Sequence, residues 1–268
     1  MSFAQIALLG LIAGATIFIG LPIGRLPAAG ARLRAFLSAA SVGVLLFLFW
    51  DVVTGAVEPI EDALHAAVAG AGDWATFVVL ALVAVLGLTA ALLGLVAYDR
   101  WMARRRAALG GGSAPMTGSQ LALLIAIGIG LHNFAEGMAI GQSAASGEIA
   151  FALTLVIGFA LHNATEGFGI VAPMAGAGEH PSWGYLGMLG LIGGGPTLAG
   201  TIVGQVWIDA TVAVAFLALA AGSILYVVVE LISVNRSFAG LKALVTAGMI
   251  VGLVLGFGTD FILDALGS

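Results

Sequence analysis

Residues 119–142 read SQLALLIAIGIGLHNFAEGMAIGQ, a long and largely apolar stretch. It contains no Lys or Arg and a single acidic residue, Glu136. At about 1.5 Å per residue, a helix over this stretch is longer than the ~30 Å hydrocarbon core of a bilayer. The stretch therefore predicts a transmembrane helix that carries polar residues in its middle.

Similar apolar stretches recur along the whole chain, in which 61% of the 268 residues are hydrophobic and 9% are charged. An average soluble domain has about one quarter charged residues, so this composition excludes an ordinary soluble protein. We predict an all-α integral membrane protein that forms one domain over residues 1–268. Its eight predicted spans are 3–24, 34–56, 74–99, 119–142, 148–172, 184–206, 210–233 and 241–263. The first span lacks the basic start and small-residue cleavage site of a signal peptide, which predicts that it stays in place.

The basic residues predict the orientation of the spans. All nine lie in connections of the same parity: Arg25, Arg32, Arg34, Arg100, Arg104, Arg105, Arg106, Arg236 and Lys242. Short loops rich in Lys and Arg stay cytoplasmic, so both termini are expected outside, in a multi-pass protein of the cell (inner) membrane. The Gly/Ser-containing segment 102–118 is predicted to be a short flexible cytoplasmic loop.

A polar motif occurs twice, as GLHNFAEGMAIG at 130–141 and as ALHNATEGFGIV at 160–171. Residues four apart share one helix face, so His132 projects with Glu136, and His162 projects with Glu166. Both pairs lie near mid-bilayer, where ionisable residues mark an ion or substrate path by default. Because consecutive spans run in opposite directions, the two pairs are expected to meet around one cation.

The ligand types narrow the choice of cation. The chain has no cysteine, so thiolate ligands are excluded. Two imidazoles and two carboxylates suit Zn²⁺, Fe²⁺, Mn²⁺ or Co²⁺ and disfavour Cu⁺. Asn133 and Asn163 could add carbonyl oxygens or orient the ligands from behind. The alternative is that each His–Glu pair only closes a polar network between packed helices.

HNFAEG and HNATEG, on the fourth and fifth of eight spans, resemble the paired HNxPEG signatures of the ZIP family of divalent-metal transporters. GVLLFLFWD at 43–51 and AAGSILYVVVELI at 220–232 resemble the second and seventh spans of its bacterial members. The resemblance implies a homodimer. It also implies these metal-binding residues: His132, Asn133, Glu136, His162, Asn163, Glu166 and Glu230.

The chain departs from the family pattern in three places. Ala135 and Thr165 replace the proline of each motif, so the helix kink that a proline forces is not required. Gly195 precedes Pro196 where many members carry a glutamate, so a second metal site would lose a carboxylate. The histidine-rich cytoplasmic loop of the family is absent, since 102–118 contains no histidine.

Other polar residues are candidates for the entrance and exit of an ion. Glu58, Glu61, Asp62 and His65 share one face of a short predicted helix outside the membrane, as a collecting vestibule or as a solvated surface. Asp51 ends the second span and either lines the outer mouth or marks the interface. Glu179 and His180 form either a resting place for a departing ion or a plain turn before Pro181. The Gly193–Gly195 run either unwinds the sixth span beside a cavity or permits close packing.

The leading hypothesis is transport of Zn²⁺, or alternatively Fe²⁺, Mn²⁺, Cd²⁺ or Co²⁺, into the cytoplasm by alternating access. The expected partners are the metal ion, the lipid bilayer and a second copy of the chain, with no nucleic acid, no organic cofactor and no enzymatic activity. One alternative is an intramembrane zinc-dependent hydrolase, which would need a separate general base. The other is a metal-selective channel or sensor.

Overall fold

The structure, a computed structural model, describes residues 1–25, 31–108, 117–207 and 209–267. Within these ranges every regular element is helical. The α-helices are α1 Phe3–Ala15, α2 Ile17–Gly20, α3 Ala31–Val68, α4 Trp74–Ala108, α5 Gly118–Ala145, α6 Ile149–Ala177, α7 Trp183–Gly204, α8 Ala210–Asn235 and α9 Lys242–Gly267. Short 3₁₀ segments, Leu21–Arg25 and Arg236–Leu241, follow α2 and α8.

The prediction of an all-helical chain of long apolar helices is confirmed. In the described part of the chain, seven helical segments are long and apolar enough to cross a membrane. They match the first seven predicted spans within a few residues at most ends. For the eighth predicted span, the described apolar stretch within α9 is Lys242–Gly258. The fold is therefore compatible with a multi-pass membrane protein.

The first span is interrupted at Thr16, which the sequence pattern did not predict. The Thr16 hydroxyl donates to the carbonyl oxygen of Ala13 at 2.6 Å, and this side-chain bond competes with the helical ladder. The chain restarts as α2 and tightens into the 3₁₀ segment that contains Pro22. The span is thus two short helices joined at a bend.

Two helices run beyond their predicted spans. Helix α3 has 38 residues, so at about 1.5 Å per residue it is about 57 Å long and includes Pro59. The expected separate helix around Glu58–His65 is its continuation. Helix α4 extends to Ala108, because Ala and Arg are strong helix formers, so 102–108 is helical where a loop was expected. The rest of that predicted loop, apart from 117–118, lies outside the described residues.

The long helices pack as two bundles. The first bundle contains α1, α2, α5, α6 and α7, with its most extensive contact between α5 and α7. The second bundle contains α3, α4, α8 and α9, in which α3 packs on α9 and α8, and α4 packs on α8. Contacts of α5 with α8 and of α6 with α3 join the two bundles.

Glycines bring backbones into contact within each bundle. A Cβ added at Gly200 of α7 would lie 2.0 Å from the carbonyl oxygen of Phe134 in α5, and one at Gly252 of α9 would lie 2.0 Å from the carbonyl oxygen of Ala40 in α3. Between the bundles there is more room. A Cβ at Gly128 would lie 3.2 Å from the Ser223 Cβ. Close backbone approach is the usual role of small residues where apolar burial in lipid gives no driving force.

The described basic side chains gather at one end of the molecule, here called the basic end. Hydrogen bonds tie its segments together: the Arg25 guanidinium donates to the Pro181 carbonyl, and the Tyr185 hydroxyl donates to the Ser119 carbonyl at 2.6 Å. The last turn of α8 joins the same end, since Ser38 donates to Asn235 at 2.7 Å. The connections that carry the described basic residues therefore lie at the same end of the molecule.

Candidate metal site

The first motif forms a buried pair on α5. His132 and Glu136 lie four residues apart on one helix face, and His132 Nε2 is 3.0 Å from Glu136 Oε1. The residues are 1% and 6% exposed. An ionisable pair at this depth requires compensation from nearby charges or hydrogen bonds.

Helix α6 brings one residue of the second motif to the same point. Glu166, 1% exposed, has Oε1 4.0 Å from His132 Nε2. Its Oε2 accepts a hydrogen bond from Asn133 Nδ2 at 3.1 Å. The structure thus brings together His132, Asn133, Glu136 and Glu166. The side chain of His162, one turn earlier on α6, lies outside the described residues.

The distances from His132 to the two carboxylates can be compared with the separation between two ligand atoms that share one dication. Donor atoms at about 2.1 Å from one tetrahedral ion lie about 3.4 Å from each other. The two His132–carboxylate distances, 3.0 and 4.0 Å, lie on either side of that value. Among the described side chains, no three His, Asp or Glu residues already form a metal-holding arrangement. The side chains of His132, Glu136 and Glu166 would therefore have to move before they could surround one ion.

Among the described side chains, the cluster carries more negative than positive charge when its carboxyl groups are ionised. Glu136 and Glu166 face one imidazole, and within the described structure no Lys or Arg pairs with either carboxylate. Glu136 Oε2 also has no hydrogen-bond partner in those residues. Buried carboxylates are costly unless a cation compensates them. A bound dication would supply that compensation.

The two motif asparagines make matching contacts with opposite neighbours. Asn133 Nδ2 donates to the Gly193 carbonyl of α7 at 3.0 Å. Asn163 Nδ2 donates to the Ala13 carbonyl of α1 at 2.9 Å, just before the interruption at Thr16. Both amide oxygens are buried without a hydrogen-bond partner among the residues described. Asn133 therefore orients Glu166, whereas Asn163 holds α1 and does not donate to the cluster.

A cavity of about 330 Å³ leads to this cluster from the end opposite the basic end. His132 and Glu136 line its inner part. Glu58 also lines it and lies on α3 beyond residue 56, where the second predicted span ends. Its remaining lining residues come mainly from α3, α5 and α8, with Phe159 from α6. The cavity therefore connects the buried His132–Glu136 pair with one end of the molecule.

On the other side of the cluster the molecule is closed by apolar side chains. The largest core cluster includes Ile125 and Ile129 of α5, Ile170 and Met174 of α6, and Leu189 of α7. These residues lie between the motifs and the basic end, and each is less than 2% exposed. Within the described residues, the cavity therefore approaches the cluster from the end opposite the basic end, and apolar side chains pack on its other side.

The predicted entrance residues divide into two groups. Asp51 and Glu58 both line the cavity, and Asp51 is close enough to His132 and Glu136 to interact electrostatically with them. Thr54, which the sequence reading missed, lies between them at helical spacing and also lines the cavity. Asp51, Thr54 and Glu58 lie at i, i+3 and i+7, and this helical spacing could have predicted that Thr54 shares their face. The remaining three predicted entrance residues are exposed farther along α3: Glu61, Asp62 and His65.

Glu230 does not join the cluster. It is half-buried on α8 and near enough to Asp99 of α4 to interact with it electrostatically. Because Gly128 of α5 packs against Ser223 and the two helices are antiparallel, Glu230 lies about 16 Å along the bundle axis from the level of His132. The family-implied metal-binding role of Glu230 stays a prediction that this arrangement does not support.

Gly195, the position where many ZIP proteins carry glutamate, lies on the exposed face of α7. A Cβ at this position would have no described atom within 4 Å. A side chain here would point away from His132, Glu136 and Glu166. The run Gly193–Gly195 stays helical, and Gly193 and Gly194 serve close packing.

Glu179 caps a helix at the basic end. Its Oε1 accepts from the Gly118 amide at 2.8 Å and its Oε2 accepts from the Ser119 amide at 2.9 Å, at the start of α5. These two donors would otherwise lack helical partners, and the carboxylate also favours the positive end of the helix dipole. His180 beside it is exposed at the connection to α7. Their predicted role as exit residues remains a prediction.

We expect Glu179→Ala to lower the free energy of unfolding by about 1.5–3 kcal/mol, because two hydrogen bonds to a charged group are lost. Glu179→Gln should cost less, since its amide oxygen still accepts one bond. Thermal unfolding in detergent measures both effects. Glu148→Ala is the matched control, because Glu148 also begins a helix but makes no side-chain capping bond. Equal losses in the Glu179 and Glu148 variants would contradict the capping role.

No protein-family model matches the chain, and no curated protein matches it.

Proposed function

We propose that this protein is a ZIP-like transporter that moves a divalent transition-metal cation, Zn²⁺ first, across the cell (inner) membrane into the cytoplasm. Transport would proceed by alternating access, with both termini outside. One observation carries the proposal: the buried carboxylates Glu136 and Glu166 converge on His132 at the inner part of a cavity open to one side. The ZIP-like double motif supports the same function.

The side of access fits import. The described Lys and Arg residues lie at the end away from the cavity, and such residues favour the cytoplasmic side. The cavity then opens outward, past the acidic residues Asp51 and Glu58. These carboxylates would raise the local concentration of cations at the mouth. The apolar core between the cluster and the basic end would hold the inner gate closed in this state.

The transport proposal predicts saturable uptake of Zn²⁺ by liposomes that contain the full-length protein, measured with an indicator trapped inside. Fe²⁺, Mn²⁺, Co²⁺ and Cd²⁺ tested in the same way rank the metals, and Cu⁺ should be a poor substrate because the converging side chains are an imidazole and carboxylates and the chain has no cysteine thiolate. Liposomes without protein give the background. Uptake no faster than that background for every cation would overturn the proposal.

A metal-selective channel would use the same ligands but differs in its kinetics. The apolar core below His132 favours a carrier, since a channel in its open state needs a continuous polar path. A carrier should saturate with cation concentration and exchange external for internal metal. Uptake that rises linearly with concentration would favour the channel instead. The homodimer and a proton coupling linked to ligand deprotonation remain predictions.

A further inference from the structure

A second cavity lies at the basic end, outside the candidate metal site. It has a volume of about 540 Å³ and lies between the end of α8 and the start of α9. Apolar side chains form most of its wall, including Ile232, Val245 and Met249. Two basic residues, Arg236 and Lys242, also line it.

The polar groups of this cavity are all suited to an anion. Among the described residues, no carboxylate lines the cavity, and neither Arg236 nor Lys242 forms an ion pair. Asn235, which is 8% exposed, lines the same cavity. Its Oδ1 accepts from the Ser38 hydroxyl, while its Nδ2 has no hydrogen-bond partner among the described residues. A buried donor therefore lies beside two uncompensated cations.

We infer that this cavity binds the phosphate headgroup of an anionic phospholipid, with an acyl chain against the apolar wall. Arg236 and Lys242 supply the positive charge, and the Asn235 amide donates a hydrogen bond to a phosphate oxygen. Charge complementarity and the apolar wall together favour a lipid over a small free anion, which would leave that wall unoccupied. Basic pockets between membrane helices at the cytoplasmic side suit such headgroups.

This site rests on the membrane placement proposed above and is independent of metal transport. An anionic lipid bound here would link α8 and α9 at the 3₁₀ segment Arg236–Leu241, where Phe238 departs from helical backbone angles. The lipid would therefore stabilise the connection at the basic end of the second bundle.

Native mass spectrometry of the full-length protein in detergent tests the site by titration with phosphatidylglycerol or phosphatidylcholine. Phosphatidylglycerol should bind more tightly. The double variant Arg236→Gln/Lys242→Gln should bind it about 25-fold more weakly, since each charge near a phosphate contributes about fivefold. Lys242→Arg keeps the charge and should retain most of the binding.

The matched control is Arg100→Gln/Arg104→Gln, which removes the same charge from exposed positions on α4 that do not line the cavity. It should change binding less than twofold. The inference is overturned if the control loses as much affinity as the cavity variant, if the cavity variant binds like the wild type, or if the two lipids bind equally. Displacement of the lipid by millimolar inorganic phosphate would also overturn it, by showing a small-anion site. None of these outcomes depends on metal uptake, so failure here leaves the transport proposal standing.

Discussion

Glu166→Gln is expected to reduce Zn²⁺ uptake by liposomes at least about 100-fold. Loss of a residue that hydrogen-bonds to a metal ligand lowers metal affinity or activity about 10- to 100-fold, and loss of a direct ligand should have a larger effect. Glutamine has nearly the same shape, and its amide oxygen can still accept from Asn133 Nδ2. The buried position loses a charge that no described Lys or Arg compensates. The unfolding temperature should therefore stay the same or rise while uptake is lost.

Two comparisons make this result specific. Glu148→Gln removes an exposed carboxyl group at the start of the same helix and should leave uptake unchanged. His162→Ala tests the part of the second motif whose side chain the structure does not describe. It should also reduce uptake if that imidazole is the fourth ligand. Wild-type uptake by Glu166→Gln protein would remove this carboxylate from the site and reduce the arrangement to a polar network between helices.

Gly194→Ala is expected to destabilise the first bundle strongly, whereas Gly195→Ala, one residue later, should be close to neutral. A Cβ at Gly194 would lie 2.2 Å from the Gly14 carbonyl oxygen of α1, and backbone at that contact cannot rotate away. Forced overpacking costs about 1–3 kcal/mol, which for a chain of this size corresponds to about 2–12 °C in the unfolding temperature. At Gly195 the added methyl meets no described atom within 4 Å.

Thermal unfolding and size-exclusion chromatography in detergent measure this pair of variants. The substitutions are chemically identical and adjacent, so helix propensity favours alanine at both positions and cannot explain a difference. If both variants unfold at the same temperature, the close approach of α1 and α7 is not as the structure has it. Uptake by the Gly195→Ala protein should match the wild type, since this face of α7 is turned away from the cluster.

The sequence predicted the helices and much of the cluster because both depend on local periodicity. Hydrophobic runs gave the spans within a few residues at most ends, and i, i+4 spacing placed His132 and Glu136 on one face. The convergence of Glu166 on His132 needed one further step, that consecutive spans run in opposite directions. No long-range contact had to be known.

The remainder depended on contacts between segments distant in the chain. Asn163 reaches the Ala13 carbonyl, and Glu179 reaches the start of α5, because of how the helices pack. Neither partner has a signature in the residues nearby. Glu230 shows the converse, since a residue expected at the site from resemblance interacts electrostatically with Asp99 and lies at a different level along the bundle axis from His132. The second span was expected to end at residue 56, whereas α3 continues through Pro59 to Val68. At a partly exposed position, water can satisfy the carbonyl group that loses its helical partner to a proline.

Helices whose backbones touch through glycine cannot turn or slip against each other without lifting apart. This restricts the motions open to the molecule, since α5 and α7, and likewise α3 and α9, are locked in this way. The seam between the bundles, where Gly128 faces Ser223, lacks such a backbone contact at this point, so it restricts relative displacement less than the contacts within each bundle. If the cavity is to reopen toward the basic end, the first bundle would have to travel along that seam as one piece and take His132, Glu136 and Glu166 with it.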